Sequence, residues 1–444
     1  MGIKVAKFGG TSVADGIQIA KIKKILADDS ERRFVVVSAP GKRFERDSKV
    51  TDILYSCINN KKQNIPYEQL FQVICDRFSA MEMYLGVDVG LKDTFVGIRQ
   101  RIDDGASEDY VASRGEFLNA KIIAAYLGYD FADAADMVRF DEKGKLLPEE
   151  TNKAMTAELR KHEYAVIPGF YGSKPDGSVK TFSRGGSDIT GSLAARAVKA
   201  YVYENWTDVS GFLVADPRII KNPEPISTVS YRELRELSYM GASVLHEDAI
   251  YPARISNIPI NIRNTNEPDN PGTMITSESD VRLDGRIVTG IAGKKDFVVV
   301  ALSKSRLATE RGFVRKLAGI LEDHDVTLEH MPSGIDTISV IMSMESVNGK
   351  LDDILDEFER QLQPESMEVS ENVALIATVG CGMSFRPGVS AKLFTALAKA
   401  GINIRMIDQG SSEMNIIVGV HNDDFESSIK AIYEAFIDKK EENC

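Results

Sequence analysis

From its start the chain alternates short apolar runs with glycine-rich breaks and helix-spaced apolar positions. Ile3 to Phe8 is apolar-rich, and Gly9-Gly10-Thr11-Ser12 interrupts it. Behind the break Ile17, Ile19, Ile22 and Ile25-Leu26 recur close to the period of a helix face. Phe34-Val35-Val36-Val37-Ser38 follows, apolar on both faces, as in a strand buried within a parallel sheet. Strand, helix and strand at this spacing predict a βαβ unit. Further on, Glu116 to Tyr126 predicts a helix and Tyr164 to Pro168 a strand leading into Gly169-Phe170-Tyr171-Gly172. Asp188 to Lys199 predicts an alanine-rich helix, and Ala200 to Glu204 a returning strand. The expected fold class is α/β, with an α/β/α sandwich around a mainly parallel central sheet over about the first 280 residues.

The texture changes between Asn264 and Asp284, where NTNEPDNPGTMITSESD is polar and turn-rich and predicts a linker. A repeat of about 75 residues follows. Its first copy predicts a strand at Phe297 to Leu302, a helix at Gly312 to Glu322, strands at Val326 to His330 and Thr337 to Met342, and a helix at Leu351 to Leu362. The second copy predicts a strand at Val373 to Val379, a helix at Val389 to Ala400, strands at Ile402 to Ile407 and Met414 to Val420, and a helix at Phe425 to Phe436. Two tandem βαββα arrays point to one module used twice. Ile287 to Ile291 is expected to supply the second copy's last strand, which would interlock the modules. The expected domains are 1–283, 284–372 and 373–444, in line with about three domains for 444 residues.

A formal net charge of -12, with no long basic stripe, disfavours a nucleic-acid partner. Cys57, Cys75, Cys381 and Cys444 form no C-x-x-C pair and have no companion His cluster, so a structural zinc site or disulfide framework is not expected. No apolar run is long enough to span a membrane, and the opening MGIKVAKFGGTS has no signal-peptide pattern. These features predict a cytoplasmic protein.

Three glycine-bearing segments carry candidate chemistry. In Lys7-Phe8-Gly9-Gly10-Thr11-Ser12 the glycines let a phosphate approach the backbone, the helix behind offers free N–H groups, and Lys7 can offset charge on a transferring phosphoryl group. The segment is neither a Walker A loop nor G-x-G-x-x-G, and read alone it could be a tight turn with a surface lysine. In Ser183-Arg184-Gly185-Gly186-Ser187-Asp188 the Arg184 fork suits a carboxylate, while Asp188 could cap the helix or organise the site. The third segment runs from Trp206 through Thr207, Asp208, Leu213 and Asp216-Pro217-Arg218, where Arg218 suits phosphate or a turn salt bridge. Thr51 and Glu116 are weaker candidates, and His246 reads as structural.

Together these segments resemble the aspartate kinase family. K-F-G-G-T-S, K-V-T-D, S-x-G-E, S-R-G-G-S-D, W-T-D-V-x-G-x-x-x-A-D-P-R and V-L-H stand in the family's order along essentially the whole chain. The resemblance implies an amino-acid-kinase sandwich followed by two interlocked ferredoxin-like βαββαβ (ACT) domains. It implies transfer of phosphate from MgATP, with ATP and Mg²⁺ as cofactors, to the side-chain carboxylate of L-aspartate. By the same resemblance Lys7 and Asp188 are the catalytic pair, and Thr51, Glu116, Arg184, Gly185, Gly186 and Ser187 bind aspartate. ATP would meet Lys7, Phe8, Gly9, Gly10, Thr11, Thr207, Asp208, Leu213 and Arg218. The metal ligands stay open. Many members carry lysine in a G-A-K-V-L-H segment. This chain has Ser243 there, so that charge is lost and backbone contacts from Ser243 and Val244 would have to serve.

The ACT modules imply feedback by an amino acid, lysine favoured over threonine, at Met331, Ser333, Gly334, Ile335, Asp336 and Thr337. Read as residues alone, that segment could be a plain hairpin loop, whereas Asp408 to Ser412 is expected to support pairing of modules. Paired modules imply a homodimer or a dimer of dimers. Two rival readings stand beside this one: a family member acting on glutamate, acetylglutamate, carbamate or UMP, and a catalytically silent amino-acid sensor.

Overall fold

A computed structural model describes residues 2–241, 247–277 and 286–437. Strand β1 (Lys4–Phe8) leads through a 3-10 turn (Thr11–Val13) into α1 (Gly16–Ala27) and β2 (Arg32–Val37). Four helices follow, α2 (Val50–Lys62), α3 (Glu68–Leu85), α4 (Leu91–Asp103) and α5 (Glu108–Leu127). Next come β3 (Asp130–Phe131), α6 (Pro148–Leu159), β4 (Ala165–Pro168), the β5–β6 hairpin (Tyr171–Ser173 with Val179–Thr181), α7 (Gly186–Val198) and β7 (Val202–Thr207). Beyond them lie β8 (Thr228–Ser230), α8 (Tyr231–Tyr239), α9 (Glu247–Ile255), β9 (Ile260–Asn264) and β10 (Thr273–Thr276). The described residues fall into two compact units, 2–212, 225–231 and 247–277 in the first, and 213–224, 232–241 and 286–437 in the second. The expected boundary at 283/284 lies outside the described residues.

The first unit holds an eight-stranded sheet in the order β3-β4-β2-β1-β7-β9-β10-β8. Every pairing is parallel except that between β9 and β10. Strand β1 therefore sits centrally, between β2 and β7, with its glycine turn at the carboxyl edge of the sheet. On one face Ile19, Ile22, Ile25 and Leu26 of α1 pack with Phe8, Val35 and Val37 of the sheet and with Leu54, Phe71, Ile74, Phe78 and Leu118 of the helices. The expected apolar positions of α1 are thus the buried ones, and the solvent-facing Ile17 is the exception. A buried ion pair ties β2 to β7: Arg32 Nε lies 2.7 Å from Glu204 Oε2, which also accepts from Trp206 Nε1 at 2.9 Å. Trp206 in turn stacks on Phe8 at 5.9 Å between ring centroids.

One expectation needs correction here. The polar stretch read as a linker contains β10, which is seated between β9 and β8. Its polarity misleads because Thr273 is buried and spends its hydroxyl inside, accepting from Phe212 N–H at 2.8 Å and donating to the Ile226 carbonyl at 2.6 Å.

The second unit carries β11 (Gly290–Ser303), α10 (Phe313–Asp323), β12 (Thr337–Ser343), α11 (Met344–Val347), α12 (Leu351–Glu357), β13 (Ser366–Val379), α13 (Val389–Lys399), β14 (Met406–Asp408), β15 (Asn415–His421) and α14 (Phe425–Phe436). Its sheet is antiparallel, in the order β12-β11-β13-β15-β14. The strand expected at Phe297 to Leu302 is fused with the end of the one expected from Ile287 to Ile291 as β11, and the strand expected at Val373 to Val379 begins earlier, at Ser366, as β13. The Gly290–Lys294 half of β11 pairs with Leu375–Val379 of β13, and its Phe297–Ser303 half pairs with Ser366–Val373. Register shifts at Lys294/Phe297 and Phe297/Val299 mark where the halves meet. Each long strand serves both βαββ arrays, which interlocks them. Val326 to His330, expected as a strand, supplies only an isolated bridge from His330 to Ile341. Pro332 just beyond has no N–H to extend a ladder.

At the carboxyl edge of the first unit a segment from Ser38 to Lys49 folds back over the glycine turn. Gly41 N–H donates to the Gly10 carbonyl at 2.8 Å. A Cβ built on Gly41 would stand 2.5 Å from the Gly10 carbonyl carbon, so two backbones touch where no side chain fits. Gly41→Ala is therefore expected to cost about 1–3 kcal/mol of stability through overpacking. Gly97→Ala, in the middle of α4 with nothing within 4 Å of its added Cβ, is expected to be neutral or stabilising. Thermal melts of the two variants check this pair, and equal midpoints would refute the contact.

Candidate active site

Lys7 lies within the buried run of β1, one residue before its end, where a strand interior would normally exclude charge. The Lys7 ammonium is 7% exposed by residue and sits 2.5 Å from Asp188 Oδ1, the third residue of α7. That geometry requires the turn before α7: Gly185 caps the helix at φ 58°, a left-handed conformation that costs a glycine little. Asn205 of β7 joins the pair, donating from Nδ2 to Asp188 Oδ1 at 2.9 Å and accepting from Lys7 Nζ on Oδ1 at 3.4 Å.

These groups open on a cavity of about 410 Å³ lined by Lys7, Gly9, Gly10, Thr11, Thr51, Glu116, Asp188 and Thr207, all expected from the sequence. Ser38, Ala39, Pro40, Gly41, Lys42, Lys49 and Asn205 line it too and were not expected. Lys42 and Lys49 are exposed on the segment that covers the glycine turn. The run GKRFERDSK reads as a solvated charged loop, and only its return over Gly10 turns two of its lysines towards the cavity. Buried Arg77 of α3 secures that loop, donating to the Ser48 and Ala14 carbonyls at 2.9 Å and also to the Gly41 carbonyl. Within the loop Arg43 bonds Asp47 at 2.7 Å and holds that carboxyl far below the usual range.

The remaining expected residues stand elsewhere. Phe8 is fully buried beneath the turn. Gly186 and Ser187 open α7. Arg184 is exposed in the loop before α7, is not among the cavity-lining residues, and has no ion-pair partner among the described residues. Asp208 is exposed beside the cavity-lining Thr207, whose hydroxyl donates to its Oδ1 at 3.2 Å. Leu213 and Arg218 belong to the second unit, where Arg218 grips Asp216 with Nη2 at 2.6 Å. Ser243, Val244 and His246 lie outside the described residues.

In the second unit Met331 to Thr337 forms a closed turn. Gly334 N–H donates to the Thr337 carbonyl at 2.8 Å, Ser333 bridges to Ile338, and Ile335 is 78% exposed. Asp336 Oδ1 accepts from Arg306 N–H at 2.8 Å, so the carboxylate expected to meet an ammonium serves the turn through one oxygen.

Glu116 has the most perturbed carboxyl of the cavity. It is 5% exposed, and burial pushes its pKa up to about 8, only partly offset by the Ala39 backbone. Its Oε2 has no hydrogen-bond partner among the described residues. A buried carboxyl of this kind favours a ligand that brings its own positive charge. No group of three or more His, Cys, Asp or Glu side chains placed to hold a metal occurs among the described residues. The exposed carboxylate of Asp208 at this edge still suits Mg²⁺, which is commonly held by one or two carboxylates and the oxygens of a bound phosphate.

A mainly parallel sheet with a glycine turn, a lysine and a helix start at its carboxyl edge fits a small-molecule phosphotransferase. Comparison with known proteins is more specific. Residues 2–264 match the amino acid kinase family, and residues 376–436 match the ACT domain. Aspartokinase 3 of Bacillus subtilis (strain 168) is 38% identical over 452 residues, covering 98% of both chains. The crystal structure of Clostridium acetobutylicum aspartate kinase superposes with a TM-score of 0.92 at 49% identity, covering 98% of this chain and 100% of that one. E. coli aspartokinase III in complex with aspartate and ADP shares the fold at a TM-score of 0.73 and 23% identity, covering 98% of this chain and 100% of that one. This chain belongs to the amino acid kinase family, as one of its aspartate kinases.

The raised Glu116 carboxyl gives a stability signature. The folded chain keeps this proton up to about pH 8, while the unfolded chain releases it near 4.5. The stability it contributes is complete below the lower value and is lost as pH rises through the upper one. Between them the ligand-free protein is expected to lose up to about 1.4 kcal/mol per pH unit through this group. Denaturant titrations across that range should show a smaller slope in Glu116→Gln; an unchanged slope would refute the burial argument.

Proposed function

We propose that this chain transfers the γ-phosphoryl group of MgATP to the side-chain carboxylate of L-aspartate, giving 4-phospho-L-aspartate and ADP. The observation that carries the proposal is the Lys7–Asp188 pair at the glycine turn, which lines one cavity together with a buried Glu116. A carboxylate is already a nucleophile near neutral pH, so the reaction needs no general base. An aspartate side-chain oxygen attacks the γ-phosphorus, the bond from that phosphorus to the bridging oxygen breaks, and its electron pair leaves on ADP. The barrier the protein can lower is the repulsion between two anions. Lys7 offsets charge on the transferring group, while Gly9, Gly10 and Thr11 admit the phosphates to the backbone. Lys42 and Lys49 add positive charge at the mouth. Glu116 takes the substrate ammonium, which favours its ionised form, and Thr51 lies beside it. Arg184 closes on the substrate carboxylate from the loop before α7. Asp208 would complete the coordination of Mg²⁺, which when bound draws charge from the nucleotide phosphates.

Such a product belongs to the first step of lysine, threonine and methionine formation, in the cytoplasm where ATP is held. Lysine is the proposed effector, at Met331 to Thr337, and E. coli aspartokinase III has been crystallised with lysine and aspartate. The modules would pair between two chains, as a homodimer or a dimer of dimers.

A coupled assay of ADP release, run over aspartate, glutamate, acetylglutamate, carbamate and UMP, tests the acceptor. Turnover is expected with aspartate alone, and indifference to aspartate overturns the proposal. Lys7→Ala is expected to lower kcat by about 10²–10³ while lysine binding, followed by calorimetry, persists. Full activity in that variant would remove the role given to Lys7.

A further inference from the structure

Lys7 and Asn205 are register partners on the adjacent parallel strands β1 and β7, so their side chains leave the sheet on the same face and at the same level. Asn205 is 3% exposed, at a position where an apolar residue would pack as well. Its other sheet neighbour, Ile262 of β9, is apolar and buried. The charged groups that face position 205 are Lys7 from β1 and Asp188 from α7, and the amide spends both its ends on them. Asp188 Oδ1 thereby receives two donors, Lys7 at 2.5 Å and Asn205 at 2.9 Å.

That triangle answers a problem set by the ion pair. A lysine locked to a half-buried carboxylate is held away from any phosphate, and pulling it off leaves the carboxylate without a partner in a poorly solvated place, which is costly. With Asn205 present, Asp188 keeps a donor when Lys7 leaves, and the Asn205 carbonyl oxygen keeps the ammonium near the sheet edge as it swings. We propose that Asn205 is a positioning residue, one that holds Asp188 while Lys7 passes from that carboxylate to the transferring phosphoryl group. The proposal rests on the role given to Lys7 above.

The test compares Asn205→Ala, the isosteric Asn205→Asp and Lys7→Ala in the full chain, with melting temperatures recorded beside the kinetics. Asn205→Ala is expected to lower kcat by about 10-fold to 100-fold, with KM for both substrates within about twofold of the parent, because the lost interaction acts when Lys7 moves and not when substrates bind. Asn205→Asp places a second carboxylate beside Lys7 and holds it more firmly. Its kcat is expected to fall further and to recover as pH is lowered and one of the two carboxylates takes up a proton, a profile the parent lacks. Two outcomes overturn the inference: kcat within about twofold of the parent in both Asn205 variants, or losses of kcat matched by raised KM and lower melting temperature with no pH-dependent recovery in Asn205→Asp, which mark a purely structural amide. If Lys7→Ala keeps its turnover, the reading of Lys7 fails, whatever the Asn205 variants do. If Lys7→Ala is inactive while the Asn205 variants work normally, that reading stands and only the role of Asn205 falls.

Discussion

The 2.5 Å contact between Lys7 and Asp188 is the constraint on which the candidate active-site cavity depends. It cannot form locally, since the two residues lie on separate βα units. It forms because β1 lies beside β7 in the sheet and α7 begins above the same carboxyl edge. In an open parallel sheet that edge collects strand ends and helix amino termini, so phosphate-binding backbone and charged side chains meet there without special folding. The neighbouring ion pair of Arg32 and Glu204 fixes the other ends of β2 and β7 and so holds β1 between them. Two buried carboxyl groups serve different purposes here. Glu204 is surrounded by donors and is part of the frame, whereas Glu116 is left with an unpartnered oxygen and a raised pKa.

The loop over the glycine turn shows how positive charge is placed without regular structure. Arg77 reaches from α3 to three backbone carbonyls, and the Gly10–Gly41 contact brings the loop backbone against the turn. Burying a guanidinium is expensive, and three acceptors with Asp47 3.6 Å away offset that cost. The result is a main chain held in place, from which the exposed Lys42 and Lys49 line the cavity.

Much of this was legible in the chain. The apolar period of α1, the unbroken apolar run of β2 and the glycine breaks report local geometry, which sequence records directly. Lys7, Gly9, Gly10, Thr11, Thr51, Asp188 and Thr207 are legible because each sits near a strand end or helix start where motif and position coincide, whereas Glu116, expected to open a helix, lies in the middle of α5 and is legible from its motif alone. What was missed depends on contacts made at a distance. Asn205 looks like one more polar residue near a strand end until β7 is known to pair with β1. Lys42 and Lys49 look solvated until the loop is seen to return over Gly10. β10 was hidden because its threonine satisfies its hydroxyl within the core. β11 was read as two pieces, and only the Val373–Val379 half of β13 was read at all, because the polar residues Lys294-Lys295-Asp296 and Ser370-Glu371-Asn372 interrupt their apolar pattern, and those are the places where register shifts or exposed positions occur.

That fusion changes what the second unit can do. Modules joined by a linker can respond independently, but in two arrays that share β11 and β13 a shift along either strand passes to the other array unless the irregular pairing between the halves takes it up. The irregular pairing between Lys294 and Val299 is where such a shift is most easily absorbed, because ladder hydrogen bonds are already broken there. A second link crosses the arrays at the loops. His330, next to Met331, bonds through Nδ1 to Asp408 Oδ2 at 2.7 Å, and Asp408 opens the Asp408–Ser412 segment. The loop read as an effector site in one array is therefore tied to the loop read as a pairing segment in the other. Strand continuity and this side-chain bond act in parallel, so a ligand that reshapes Met331 to Thr337 must either carry Asp408 with it or break a hydrogen bond to move alone.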